Sequence, residues 1–206
     1  MSSMPHLRTD TDAISDEALM RRLQSDGDTA AFDTLYHRFS KRLLVYFFRM
    51  LGGDEEKAQD FLQDLFVKVI DRAHLYREGA SVSTWLFTIA HNMCKNEYRR
   101  LAVRRILERL GDPEAIPGEA VTAGHAMERQ DFRADLLRAL QRLDAAQRSA
   151  FILRYQEQRS IAEISAIMGC SEGTTKSRLF YATRKLADRL AEHHPNAPEA
   201  PQHGRR

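Results

Sequence analysis

Residues 54–105 set two helical patterns of opposite character side by side, one acidic and one basic, and the rest of the chain is organised around them. In the first, Ala58, Phe61, Leu62, Leu65, Phe66, Val69 and Ile70 recur at three- and four-residue spacing, so they form the apolar stripe of an amphipathic helix. Glu56, Asp60, Gln63, Asp64 and Asp71 fall on its other face. In the second, Trp85, Leu86, Ile89, Ala90 and Met93 make the stripe expected to be buried, while Thr88, Asn92, Lys95, Asn96 and Arg99 look outward. That outward face continues into Arg100, Arg104 and Arg105. Guanidinium groups hold phosphates, whereas amides and hydroxyls can read base edges, so such a face suits a nucleic acid. A solvated helix face is the plain alternative for the same charges.

The wording of this stretch decides between them. AQDFLQDLFVKVI followed by VSTWLFTIAHNMCKNEYRR closely resembles region 2 of the extracytoplasmic-function (ECF) sigma factors, small bacterial RNA polymerase subunits of the sigma-70 family. The resemblance implies that the first helix docks on a coiled coil of the polymerase largest subunit, through Asp60, Gln63 and Asp64. It implies that the second helix reads the minus-10 element as melted non-template strand, with Asn92 and Asn96 as a base-reading pair four residues apart and Lys95, Arg99 and Arg100 beside them. The family captures one flipped base in the loop before the reading helix, here about Ala73 to Ser83. Gln59 stands where the family carries a glutamate, which removes one charge from the docking face. Ser83 is expected to cap the second helix and Trp85 to be core.

At 206 residues with 43% apolar content the chain has room for two small domains with real cores. The longest apolar run, Leu43 to Phe48, is too short to span a bilayer, and residues 1–15 lack the pattern of a signal peptide, so no membrane insertion and a cytoplasmic location are expected. Cys94 and Cys170 fall in different expected domains, which argues against a disulfide or zinc site and for inert thiols. The net charge of +2 says little about partners. Its distribution says more: residues 30–105 carry thirteen Lys/Arg against nine Asp/Glu, residues 132–192 carry eleven against seven, and residues 106–131 carry two against six. Two basic modules on an acidic tether suit a pair of DNA-binding units.

Residues 1–15 show no helical period and are expected to be disordered. From Asp16 to Arg105 runs the first domain. Leu19, Met20 and Leu23 form a short helix broken at Asp26-Gly27-Asp28, Ala31 to Phe39 a second, and Leu43 to Leu51 a third that ends at Gly52-Gly53. Residues 106–131 are an acidic flexible linker, where Gly111, Pro113, Pro117, Gly118 and Gly124 break any long helix. By resemblance this linker threads the polymerase active-site cleft, with Asp112, Glu114 and Glu119 in a channel built for RNA.

Residues 132–192 form a second helical domain. Leu136, Leu137, Leu140 and Leu143, then Phe151 to Tyr155, carry its first stripes. Ser160 and Glu163 make a capping box, Gly169-Cys170-Ser171 a turn, and a longer basic helix starts near Glu172, together a helix-turn-helix. LDAAQRSAFILRYQEQRSIAEISAIMGCSEGTTKSRLFYATRKL resembles ECF region 4, which reads the minus-35 element as duplex. By position Lys176, Ser177, Phe180 and Tyr181 approach bases or phosphates, with Arg178, Arg184 and Lys185 on the backbone. Leu179 is expected to pack inward. The family often has Arg-Ala-Arg where this chain has Tyr181-Ala182-Thr183. Residues 193–206 are expected to be a disordered tail whose histidines, His193 and His194 among them, lack an organised ligand set, so no metal is expected.

The expectation is thus an all-α chain of two small helical domains, sigma region 2 and a helix-turn-helix sigma region 4, joined by a flexible linker. It would bind the largest and second-largest subunits of core RNA polymerase and promoter DNA, and be restrained by an anti-sigma factor. A free-standing helix-turn-helix regulator accounts for residues 132–192 but leaves the Asp60 and Asn92 faces without a purpose. No phosphate loop, nucleophile elbow or ligand cluster supports an enzyme, and no cofactor is expected.

Overall fold

The computed structural model describes residues 14–77, 79–111 and 129–190, and among these there are eight α-helices, one short 3-10 turn and no strand. The helices are α1 (Asp16–Asp26), α2 (Thr29–Met50), α3 (Glu55–Arg72), α4 (Val82–Gly111), α5 (Arg129–Gln141), α6 (Ala145–Tyr155), α7 (Ile161–Met168) and α8 (Glu172–Arg189), with the turn at Ala73–Leu75. Expectations for residues 1–13, for residues 112–128 of the linker expected over 106–131 and for the tail from 191 lie outside the described residues, whereas 106–111 continue α4 and 129–131 begin α5.

Local chemistry sets most of the boundaries. Ser15, Asp54 and Asp144 each accept a backbone N–H in the first turn of the helix that follows, at 3.2, 3.0 and 2.7 Å. Gly27 ends α1 at φ 61°, and Asp28 then accepts from the N–H groups of Ala30 and Ala31 to start α2. Ser160 and Glu163 close the expected capping box at the head of α7: the Glu163 N–H donates to Ser160 Oγ at 3.2 Å and the Ser160 N–H to Glu163 Oε2 at 2.8 Å. Gly169 takes the left-handed conformation at φ 61°, and Ser171 caps α8.

Three sequence expectations need correction. The two helices expected between Ala31 and Leu51 are one, α2, because the polar stretch Ser40-Lys41-Arg42 contains no breaker and lies on its exposed side. Ile70 closes no stripe: it is 54% exposed on α3 while Leu62, Leu65, Phe66 and Val69 are buried. On α4 the fully buried line is Val82, Leu86, Phe87, Ala90 and Cys94, whereas Trp85, Ile89 and Met93 are half-buried. The line is rotated toward Phe87 because a second group of helices covers that side.

That second group is α5–α8. The buried apolar residues of α1–α4 and those of α6–α8 form one continuous cluster, in which Phe47, Leu65 and Phe87 share a core with Ile152, Leu153, Ile164 and Ile167. A satellite cluster of Ala139, Leu140, Leu143, Ala182 and Leu186 ties α5 to α8. The helix-turn-helix is seated by its first helix: α7 lies along α4, and α6 reaches α2.

Candidate functional site

Three outward faces and one closed seam carry the chemistry. The first face is on α3. Asp60, Gln63, Asp64, Val67 and Asp71 are all exposed and follow one line at helical spacing. Among the described residues no side chain pairs with Asp60 or Asp64, so their charge is available to a partner. Val67 and Ile70 place apolar surface in the same region, a combination that suits a protein surface with cations beside an apolar groove.

The second face is on α4. Asn92, Lys95, Asn96 and Arg99 are exposed on one stripe, opposite Leu86, Ala90 and Cys94. Burial pushes the Cys94 thiol up to about 12, so it is an inert core group. Arg100 differs from its neighbours. Its Nε and Nη2 each donate to the Glu97 carboxylate at 2.8 Å, and Lys57 Nζ reaches the same carboxylate at 2.8 Å. Arg100 and Lys57 together hold the Glu97 carboxyl down to about 2. Lys57 therefore ties α3 to α4 through Glu97, while Arg100 is bonded within its own helix, with part of its donor set already engaged.

The loop between α3 and α4 is braced from behind. Gln24 donates from Nε2 to the carbonyls of Ala73 and Tyr76 at 2.8 and 3.0 Å, and buried Tyr76 bonds the carbonyl of Ala80 and stacks edge-on with Trp85 at 5.6 Å. The helix cap also departs from expectation. Ser81, not Ser83, accepts from the Thr84 N–H at 3.3 Å, and the Ser83 hydroxyl instead accepts from Arg159.

The third face is on α8. Thr175, Leu179, Ala182 and Leu186 point into the protein, as expected for Leu179, while Lys176, Ser177, Phe180, Tyr181 and Arg184 are exposed. Arg178 departs from the expected set: it is half-buried and donates from Nη1 to Cys170 Sγ at 3.2 Å. Under the turn, Ser165 and Thr175 bond each other through their hydroxyls at 2.8 Å.

The seam joins α1–α4 to α5–α8 and went unread in the sequence. Arg148 is 4% exposed and, among the described residues, makes no bond to a carboxylate. It donates to the carbonyls of Leu140, Met50, Gln141 and Leu143 at 2.8, 2.8, 2.9 and 3.2 Å and to the Tyr98 hydroxyl. Next to it, Ser149 Oγ lies 2.9 Å from both Tyr46 Oη and His91 Nδ1. Arg42 pairs with buried Glu157 at 2.7 Å and sits over the Phe87 ring, which Arg159 also faces. A usable signal was present: Arg148-Ser149 opens the run Ala150-Phe151-Ile152-Leu153, so two polar side chains enter the same buried helix.

Burial lowers the His91 imidazole to about 4, and the nearby cations Lys95 and Arg178 act in the same direction. The unfolded imidazole binds its proton near pH 6.5, so between pH 6.5 and 4 the unfolded chain holds more protons and stability falls as pH falls. The full effect is about 3 kcal/mol. Urea unfolding of the wild type and His91→Gln across this range checks it: the difference in slope between the two is expected to be confined to that window.

Among the described residues no group of His, Cys, Asp and Glu is arranged to hold a metal ion, and no helix is long and apolar enough to cross a membrane.

Comparison with known proteins gives the same division of the chain. The Sigma-70 region 2 family model matches residues 35–104, which span most of α2 to α4, and the Sigma-70, region 4 model matches residues 133–186, from α5 into α8. The ECF RNA polymerase sigma factor RpoE of Cereibacter sphaeroides is 32% identical over 177 residues, covering 85% of this chain and 93% of that protein. The RNA polymerase sigma-H factor of Pseudomonas aeruginosa is 30% identical over 181 residues, covering 83% and 91%. Among solved structures, the sigma factor RpoE of Bartonella quintana, crystallised with the anti-sigma factor NepR, superposes with a TM-score of 0.62 at 26% identity, over 77% of this chain and 96% of that one.

Proposed function

The chain belongs to the sigma-70 family of RNA polymerase sigma factors, in its ECF group, and from that premise we propose how its three faces divide the work. As a sigma subunit it binds core RNA polymerase and directs initiation at specific promoters. In our reading α3 docks on core through Asp60, Gln63 and Asp64. The stripe of Asn92, Lys95, Asn96 and Arg99 on α4, with Arg100 at its edge, takes the melted minus-10 strand, and the loop bridging α3 and α4 takes one unstacked base. On α8, Lys176, Ser177, Phe180, Tyr181 and Arg184 meet the minus-35 duplex, and Arg178 fixes the turn that presents them. The observation that carries this assignment is the unpaired acidic line on α3 lying one helix away from an outward amide-and-cation line on α4. A free-standing duplex-binding regulator has no use for that pairing.

Phosphodiester chemistry then belongs to the polymerase, and the protein works where transcription takes place, in the cytoplasm. Residues 16–105 and 132–192 act as the two DNA-reading domains. Linking them raises the effective concentration of the second contact once the first is made, so neither has to bind tightly alone. The two promoter elements are named for positions about 25 base pairs apart, about 85 Å at about 3.4 Å per pair. With α7 lying along α4, the seam has to part before both elements are held. A protein that grips the closed form would keep the subunit silent. Since the Bartonella quintana relative was crystallised with an anti-sigma factor, we assign such a partner to this chain too.

The test is binding of the purified chain to bacterial core polymerase, followed by initiation from a randomised promoter pool. Saturable binding with new transcripts supports the reading; tight duplex binding without core affinity sinks it. Within that assay, Asn92→Ala combined with Asn96→Ala is expected to reduce minus-10 discrimination about tenfold or more, at about 1–3 kcal/mol per good base contact. Core affinity should not change. If transcription from minus-10 variants is as selective as before, the base-reading site lies in the preceding loop instead.

A further inference from the structure

We propose that Phe180 and Tyr181 read thymine methyl groups, so that the upstream duplex element chosen by this chain carries thymines facing the middle of α8. The inference rests on the assignment of α8 to the minus-35 element and specifies what that helix recognises.

The inner side of α8 is closed by Leu179, Ala182 and Leu186, yet Phe180 and Tyr181 are 60% and 53% exposed. Their rings meet edge to face, with centroids 5.4 Å apart and planes at 76°, so each limits the other's motion and the two act as one apolar wedge. In a major groove the apolar group a side chain can meet on a base edge is the C5 methyl of thymine. Against cytosine the same wedge would cover an amino group and leave it without a hydrogen-bond partner.

The guanidinium groups are placed consistently with this. Guanine is read best by a planar fork on its O6 and N7. Arg178, in the first half of the helix where base contacts concentrate, is turned to Cys170 Sγ at 3.2 Å. Arg184, the one arginine that helical spacing sets on the outward face, stands a full turn beyond the aromatic pair. Lys176 lies 3.8 Å from Glu172, and both are exposed, so its ammonium is a flexible point charge suited to a phosphate. Ser177 contributes a hydroxyl that accepts either base type. The middle of the helix therefore offers apolar contact framed by cations, which matches a polyanionic groove lined with methyl groups.

The experiment uses holoenzyme reconstituted from the full chain and core polymerase. Promoters are selected from a randomised pool, and each thymine of the selected minus-35 element is then replaced by deoxyuridine, which removes only the methyl. Binding is expected to weaken about fourfold at each contacted position, the equivalent of about 0.8 kcal/mol per buried methyl. Holoenzymes carrying Phe180→Ala or Tyr181→Ala should lose that sensitivity at the matching position. Selected elements without thymine, no response to deoxyuridine, or a response that persists in both variants would each overturn the inference. Initiation that ignores the upstream sequence altogether would show instead that α8 does not read the minus-35 element, a different failure visible in the selection itself.

Discussion

Asp60→Arg is expected to abolish binding to core polymerase while leaving the fold of the chain unchanged. The side chain is exposed in the middle of α3 and pairs with nothing among the described residues, so its reversal breaks no internal contact. The core side of the helix, Leu62, Leu65 and Val69, is untouched. At the interface, however, the substitution changes the local charge by two units within a line shared with Asp64, and it sets a long cation against a surface expected to be cationic. Loss of one partner from a charge pair in an interface costs about 2–5 kcal/mol, and a like charge in its place adds repulsion. The dissociation constant should rise at least about 30-fold. Titration of labelled core by fluorescence, beside thermal melts of both chains, separates the two effects. An unchanged dissociation constant with an unchanged melt would move the docking face off α3.

How far the sequence could be read depended on whether a feature was local. The helix-turn-helix was legible because its signals sit within a dozen residues: Ser160 with Glu163, Gly169 at positive φ, and Ser171 before α8. The exposed faces on α3 and α4 were legible because period alone assigns them. The cap of α4 was not. In Ser81-Val82-Ser83 both serines fit the pattern, and the choice is made at a distance, where Val82 is buried with its N–H toward Glu17 and the Ser83 hydroxyl is taken by Arg159. Phe87 escaped for the same reason. It falls at the edge of the expected stripe and becomes core because Tyr46 and Arg42 of α2 and Arg159, between α6 and α7, close against its ring. The contact of Arg178 Nη1 with the Cys170 sulfur was not legible either, because it depends on the bend of the turn. Contacts between segments far apart in the chain leave no period to find.

Arg148→Met should cause the largest loss of stability available to a single substitution at the seam. α2 ends at Met50 and α5 ends at Gln141, and both C-termini aim carbonyl groups at this one guanidinium. Each helix end carries partial negative charge, so a cation between them answers two dipoles at once. Methionine keeps much of the stem but leaves the carbonyls of Leu140, Met50, Gln141 and Leu143 without this donor in a buried site. The burial that lowers the Arg148 pKa also means that removing the charge recovers some desolvation energy, which limits the loss. We expect about 3–5 kcal/mol, several hydrogen bonds to a charged group less that recovery. This is a large part of the 5–15 kcal/mol that holds a typical domain together. Ser149→Ala is the milder companion, since it strips a partner from Tyr46 and His91 without removing a charge. The position of the loss matters as much as its size. If the seam is what closes the subunit, small-angle scattering should show Arg148→Met with a larger radius of gyration than the wild type, and hydrogen exchange should rise along α4 and α7 while the buried amides of α1–α3 stay protected. The variant chain should then enter productive complexes with core polymerase and promoter at least as readily as the wild type, because the parting that initiation requires has already been made easier. A destabilised chain that stays compact and initiates poorly would mean that Arg148 serves the internal fold of α5 and α6, and that the seam opens by some other contact.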